Sequence, residues 1–220
     1  MDISKDQIEK FRKAVLVWFG THARDFPWRR TRDPYHLLVA ESLLRQTQAE
    51  RVVEPYLELI RKYPDIQSMA EADVDELRSW FQPLGLFRRA DRLIEASKTV
   101  ISQYGGKVPN DLKDLLALQG LGDYSARAVL SLAYETPVPM IDEGVGRVFR
   151  RVFGLEPHGP AYSDRGVRKI AEEILPPESS REFNLGMLDI AAACCHVRNP
   201  ECPKCPLMEI CLFRRNQSLC

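Results

Sequence analysis

Four cysteines fall within seventeen positions of one another near the C-terminus, spaced Cys195-x6-Cys202-x2-Cys205-x5-Cys211. Thiols this close together suit a metal centre. The Cys202–Cys205 pair can place two thiolates on it, with Cys195 and Cys211 closing the tetrad. An all-thiolate zinc site and a cubane iron–sulfur cluster both use four cysteines, so the spacing alone leaves both open. Pro203 and Pro206 flank the central pair and stiffen the loop, which lowers the ordering cost of binding. Cys194 and Cys220 fall outside the pattern, and Cys194 reads as a core thiol. No signal-peptide pattern stands at Met1, so a disulfide framework is not expected and a cytoplasmic location is.

Three further residues could do chemistry. Asp142, in Met140-Ile141-Asp142-Glu143-Gly144-Val145, follows an apolar pair and precedes a predicted helix. It is either that helix's N-cap or a carboxylate held for reaction. Glu41 interrupts an apolar series (Leu37, Leu38, Val39, Leu43, Leu44). Buried there, it must be paired or raised in pKa, and both suit an acid that donates to a leaving group. On the polar face it would be an ordinary exposed glutamate. Tyr124 follows Leu118-Gln119-Gly120-Leu121-Gly122, where two glycines permit positive φ and close backbone approach. Amides opening the next helix could then meet a phosphate, although an ordinary helix–helix turn would use the same residues.

Those side chains need elements to hold them. Apolar residues recur at helical spacing, beginning with Ile8, Phe11, Val15 and Phe19, and β-alternation is nearly absent. Helices are predicted over Pro34–Gln46, Glu50–Lys62, Asp73–Phe81, Phe87–Tyr104, Leu112–Leu118, Asp123–Tyr134, Val145–Phe153, Asp164–Leu175 and Glu182–Cys194. Pro and Gly clusters punctuate them. The fold class is all-α. Lys plus Arg equals Asp plus Glu at 31 each, so global charge does not announce a nucleic-acid binder. Arginines do gather locally: Arg24, Arg29, Arg30 and Arg32; Arg88, Arg89 and Arg92; Arg147, Arg150 and Arg151. Each group reads as a solvated face before it reads as a phosphate site.

The cysteine spacing resembles that of the endonuclease III and adenine-mismatch glycosylase (MutY) families. The resemblance implies a [4Fe–4S] cluster on Cys195, Cys202, Cys205 and Cys211, with Arg198 and Lys204 of the cluster loop near DNA phosphates. The turn Gln119-Gly120-Leu121-Gly122 then resembles the superfamily's helix-hairpin-helix, with Gln119 in place of the usual proline. Asp142 falls at the position of the catalytic aspartate, 20 residues past Gly122. Breaking an N-glycosidic bond passes through an oxocarbenium-like sugar, which a nearby carboxylate stabilises. Tyr124 stands where the bifunctional lyases carry the Schiff-base lysine, which implies hydrolysis without strand scission. A tyrosine there is similar to the thymine–guanine mismatch glycosylases of thermophilic prokaryotes.

The resemblance extends from about Ile8 to Cys211. Asp25-Phe26-Pro27-Trp28-Arg29, Asp33-Pro34-Tyr35 and Glu41–Gln48 look like its base pocket, with Glu41 facing the flipped base and Gln46 filling the hole it leaves. It implies a two-lobed fold. Residues 28–137 would form a lobe with the hairpin, and 1–27 with 138–220 a second lobe with the cluster. DNA would lie between them, and Asp142 and Tyr124 would face each other. Two features depart from the pattern. Gln46-Thr47-Gln48 is closer to the adenine enzymes, and Gly144 replaces an asparagine. The chain ends nine residues after Cys211, which is read as leaving no room for the domain that recognises 8-oxoguanine. The expectation is a monomeric, monofunctional glycosylase acting on double-stranded DNA with thymine or uracil opposite guanine, and no membrane. An adenine glycosylase without that domain comes next, then a catalytically silent iron–sulfur DNA-binding or redox-sensing protein.

Overall fold

A computed structural model describes residues 3–44, 47–82 and 87–217. Among them no strand occurs, and the all-α reading holds. The helices are α1 Lys5–His22, α2 Pro34–Leu44, α3 Ala49–Lys62, α4 Ile66–Ala70, α5 Val74–Phe81, α6 Phe87–Tyr104, α7 Leu112–Ala117, α8 Asp123–Ala133, α9 Glu143–Phe153, α10 Arg165–Ile174, α11 Ser180–Ala193 and α12 Leu212–Gln217. Two were not anticipated. Five-residue α4 and six-residue α12 offer little apolar period, although Asp65 caps α4 reciprocally with Ser68. The start of α1 is fixed by a capping box of Ser4 and Gln7. Aspartates cap α5, α7, α9 and α10: Asp73, Asp111, Asp142 and Asp164 accept amides of the first turns.

The chain forms two compact units, residues 25–134 and residues 1–24 with 135–220. In the first, α2 is the central element, packed on α3, α6 and α8. Leu37, Leu38, Val39 and Leu43 of α2 are buried, along with Met69, Leu77, Phe81 and Leu115. Phe26 stacks on Trp28, whose ring meets Tyr56 edge-on at 5.4 Å. The Tyr35 hydroxyl donates to the Tyr63 carbonyl at 2.6 Å, and burial pushes its phenol well above the ordinary range.

The second unit closes around Phe11, whose ring lies 5.6–6.0 Å from those of Phe149, Phe153 and Phe183. Several polar groups buried in this unit are paired. Arg24 binds the Asp189 carboxylate through its Nε (2.6 Å) and its backbone N–H (3.1 Å). Arg150 binds Asp164, which also accepts the amides of His158, Gly166 and Val167. Burial alone would raise the Asp164 carboxyl, but Arg150 and those amides outweigh it and hold its pKa at about 2. Arg12 donates to the carbonyls of Glu173, Ile174 and Leu175, satisfying the C-terminal end of α10. Among the described residues no helix is long and apolar enough to cross a membrane.

Candidate functional site

Asp142 is the N-cap of α9, and its Oδ1 accepts the Val145 N–H at 2.6 Å. Burial pushes its carboxyl above the ordinary value, opposed by the Val145 amide, the positive charge of Arg147 and the Gly144 amide. The capping role and a chemical role are therefore not alternatives for this residue. The cap fixes one oxygen, and burial strengthens whatever field the carboxylate exerts. Helix α9 lies close on its neighbours. A Cβ on Gly144 would sit 3.1 Å from the Ala191 Cβ and 3.2 Å from Asp142 Oδ1. A Cβ on Gly146 would overlap Ala161 at 2.1 Å. A side chain at residue 144 would thus press on α11 and on the Asp142 carboxylate. Upstream, the Asn184 carboxamide accepts the Met140 N–H (3.1 Å) and donates to the Val138 carbonyl (2.9 Å). Nothing in the local sequence pattern marked Asn184, because its partners are backbone groups more than forty positions away.

Glu41 and Tyr124 belong to the other unit, on α2 and α8, which pack together. Glu41 is 6% exposed, so it lies on the buried face of α2. Tyr124 is half-buried in the first turn of α8. Between α7 and α8 the chain turns at Gly120, with φ +90°, and the Leu121 N–H bonds the Leu118 carbonyl at 3.2 Å. A Cβ at residue 120 would also press on the stem of Arg92 at 3.0 Å. Gly122 differs from the expectation. It is extended (φ −103°, ψ 176°) with open space where a Cβ would be, so only Gly120 needs the left-handed region. Gln119 is exposed and Leu121 half-buried. Gln46 lies outside the described residues, as does Cys220.

Cys195, Cys202, Cys205 and Cys211 line one cavity, walled by Val148, Val152, Leu207 and Met208, with no carboxylate or imidazole in its lining. Cys194 is buried and lines it too. Among the described residues, no three His, Cys, Asp or Glu side chains converge closely enough for a single metal ion. The donor set of this apolar cavity is all sulfur, which fits a thiolate-bound group and no harder oxygen-ligated cation. The loop hangs on α9. Arg147 Nε donates to the Cys195 carbonyl at 2.6 Å. Arg151 donates to the His196 and Val197 carbonyls and approaches Cys195 Sγ at 3.4 Å. Its guanidinium lies 4.5 Å over the Phe213 ring. Arg198 is exposed, whereas Lys204 is ion-paired with Glu201, which raises the lysine's pKa and lowers the glutamate's.

An all-helical chain with a glycine-turned hairpin and a half-buried aspartate opening a later helix points to a class of DNA-repair proteins. The family described as HhH-GPD superfamily base excision DNA repair protein matches residues 39–177, and the chain belongs to it. It is 39% identical to the thymine-DNA glycosylase of Aeropyrum pernix, over 97% of this chain and 98% of that one. It is 38% identical to the thymine/uracil-DNA glycosylase of Pyrobaculum aerophilum, over 93% and 91%. A solved thermostable thymine-DNA glycosylase superposes with a TM-score of 0.91 at 35% identity, covering 98% of this chain and all of that one.

Proposed function

We propose that this chain is a monofunctional DNA glycosylase that removes thymine or uracil opposite guanine from double-stranded DNA and leaves an abasic site. The observation that carries the chemistry is Asp142, a half-buried carboxylate fixed at the start of α9. The similarity to thymine- and uracil-directed relatives along nearly the whole chain supports the choice of base. In the reaction the C1′–N bond breaks and the base leaves with the electron pair. The Asp142 carboxylate stabilises the cationic sugar and orients the water that adds to C1′, and the proton released passes to the departing base or to solvent. Glu41 hydrogen-bonds the flipped base. Tyr124 cannot form a Schiff base, so the sugar–phosphate backbone stays intact. Gln46, the backbone of Gln119-Gly120-Leu121-Gly122, Arg198 and Lys204 contact DNA, the lysine sharing its charge with Glu201.

Cys195, Cys202, Cys205 and Cys211 would hold a [4Fe–4S] cluster, supported by the all-sulfur lining of their cavity. When bound, it supplies cross-linking of the C-terminal loop, and no reaction step passes through it. The protein acts as a monomer in the cytoplasm or nucleoid.

The test is base release, with and without alkali, from duplexes carrying G·T, G·U, A·G or A·8-oxoguanine. Thymine and uracil release, with strand breaks only after alkali, is the expected result. Adenine release would favour the second reading, to which Gln46-Thr47-Gln48 points. No release from any duplex would leave a DNA-binding or redox-sensing protein. Tyr124→Lys should gain borohydride-trappable adducts, and their absence would remove Tyr124 from the site.

A further inference from the structure

We propose that Asn184 is a positioning residue for Asp142, holding the segment that leads into α9. This rests on the reading of Asp142 as the group that acts on the sugar.

The segment before α9 has no regular structure of its own, yet Met140 and Ile141 are 1% and 4% exposed. Buried backbone N–H and C=O groups must find partners, and this fold has no strand among its described residues to offer them. Asn184 does so from α11. It is 2% exposed, accepts the Met140 N–H at 3.1 Å and donates to the Val138 carbonyl at 2.9 Å. A carboxamide carries one acceptor and a two-proton donor on a rigid plane, so it pairs with the segment much as a neighbouring strand would. The two partners also fix which end of the amide is which: only the oxygen can meet an N–H and only the nitrogen a carbonyl. Aspartate keeps the first bond and sets a carboxylate oxygen against the Val138 carbonyl. Leucine, of similar size, loses both.

The same helix also holds the far side of Asp142. Ala191 stands seven residues past Asn184, about two turns along α11 and hence on the same face. A Cβ built on Gly144 would lie 3.1 Å from its Cβ. Asn184 therefore grips residues 138–140 just ahead of Asp142, and Ala191 meets the turn just after it. The cap bond to Val145 sets the carboxylate's orientation within α9. The two contacts with α11 set where that carboxylate stands in the unit. A displacement of about 1 Å is enough to cost roughly 10²-fold in rate.

Single-turnover base release, DNA affinity and amide hydrogen exchange are measured for wild type, Asn184→Asp, Asn184→Leu, Asp142→Asn and the Asn184→Leu/Asp142→Asn double variant. The expected result is a roughly 10²-fold slower rate for Asn184→Leu and a smaller loss for Asn184→Asp, with DNA affinity held. Exchange at Met140 should rise while α11 stays protected, and the double variant should be no slower than Asp142→Asn. If Asn184→Leu does not fold, Asn184→Asp, which keeps the volume, decides alone. A wild-type rate in either folded Asn184 variant, a loss confined to affinity, or an additive loss in the double variant overturns the proposal. A wild-type rate in Asp142→Asn instead overturns the catalytic reading on which it rests.

Discussion

The role proposed for Asp142 and its surroundings pull in opposite directions. Reaction needs the ionised form, whereas burial, the largest influence on it, favours the neutral one. The cap amides and Arg147 offset only part of that effect. The sign of the consequence is definite. The carboxylate is active above its folded pKa, that pKa is raised, and activity is lost as pH falls through it. The acid limb of the single-turnover pH profile should therefore lie above 3.8, the ordinary aspartate value. Glu143 beside it acts in the same raising direction. Asp142→Asn should slow base release by roughly 10²–10⁴-fold and remove that limb. A limb at or below the ordinary value would mean that another group reports there. The sequence marked Asp142 as a cap and as a candidate carboxylate; the cap is observed, and the catalytic role is what Asp142→Asn tests. It could not mark Asn184, whose role exists only because a distant loop folds onto α11.

Among the elements, the hairpin and α10 depend on single residues. Gly120 combines φ +90° with a 3.0 Å approach to the Arg92 stem. Gly120→Ala should cost about 1–3 kcal/mol from the backbone conformation and weaken DNA binding, measured by thermal unfolding and by titration with duplex. Gly122→Ala, at an extended residue with open space, should leave stability nearly unchanged. At the start of α10, Asp164 has a folded pKa of about 2, below its ordinary 3.8. Its contribution is present above that ordinary value and is lost as pH falls through the folded one. Wild type should exceed Asp164→Asn by about 2 kcal/mol at neutral pH. The gap should close below about pH 2 in acid-unfolding curves. Equal stability of the two at neutral pH would refute that account. These elements were legible where a cap or an apolar period was long enough to see. Two short ones, α4 and α12, were not, whereas the equally short α7, opened by the cap Asp111, was.

At the scale of the molecule, the arginines are spent largely on the protein itself. Arg24 pairs with Asp189, Arg30 with Asp25 and Arg150 with Asp164, while Arg147 and Arg151 hold the cysteine loop. This is how a DNA-repair protein can have balanced charge and yet show arginine clusters in its sequence. The cysteine loop is tied to α9, the helix that begins at Asp142, so its integrity bears on the whole second unit. Purified protein should show a broad visible absorption band and about four iron atoms per chain if the four thiols hold the proposed cluster. A colourless protein with one zinc would overturn that. Removing a group that contributes about 3 kcal/mol should lower the thermal midpoint by roughly 6–12 °C.

The sequence by itself determined what depends on residue type and short spacing: an all-helical chain, a four-thiol loop, a hairpin glycine and an aspartate at a helix start. Helical period, capping and cysteine spacing are local, so one strand of text contains them. Only the tertiary structure decided which arginines are internal, what stands against residue 144 and what holds the loop before Asp142. Those answers are contacts between groups far apart in the chain, Gly144 with Ala191 and Asn184 with Val138 and Met140. Such contacts are set by the packing of whole helices, and no run of neighbouring residues encodes them.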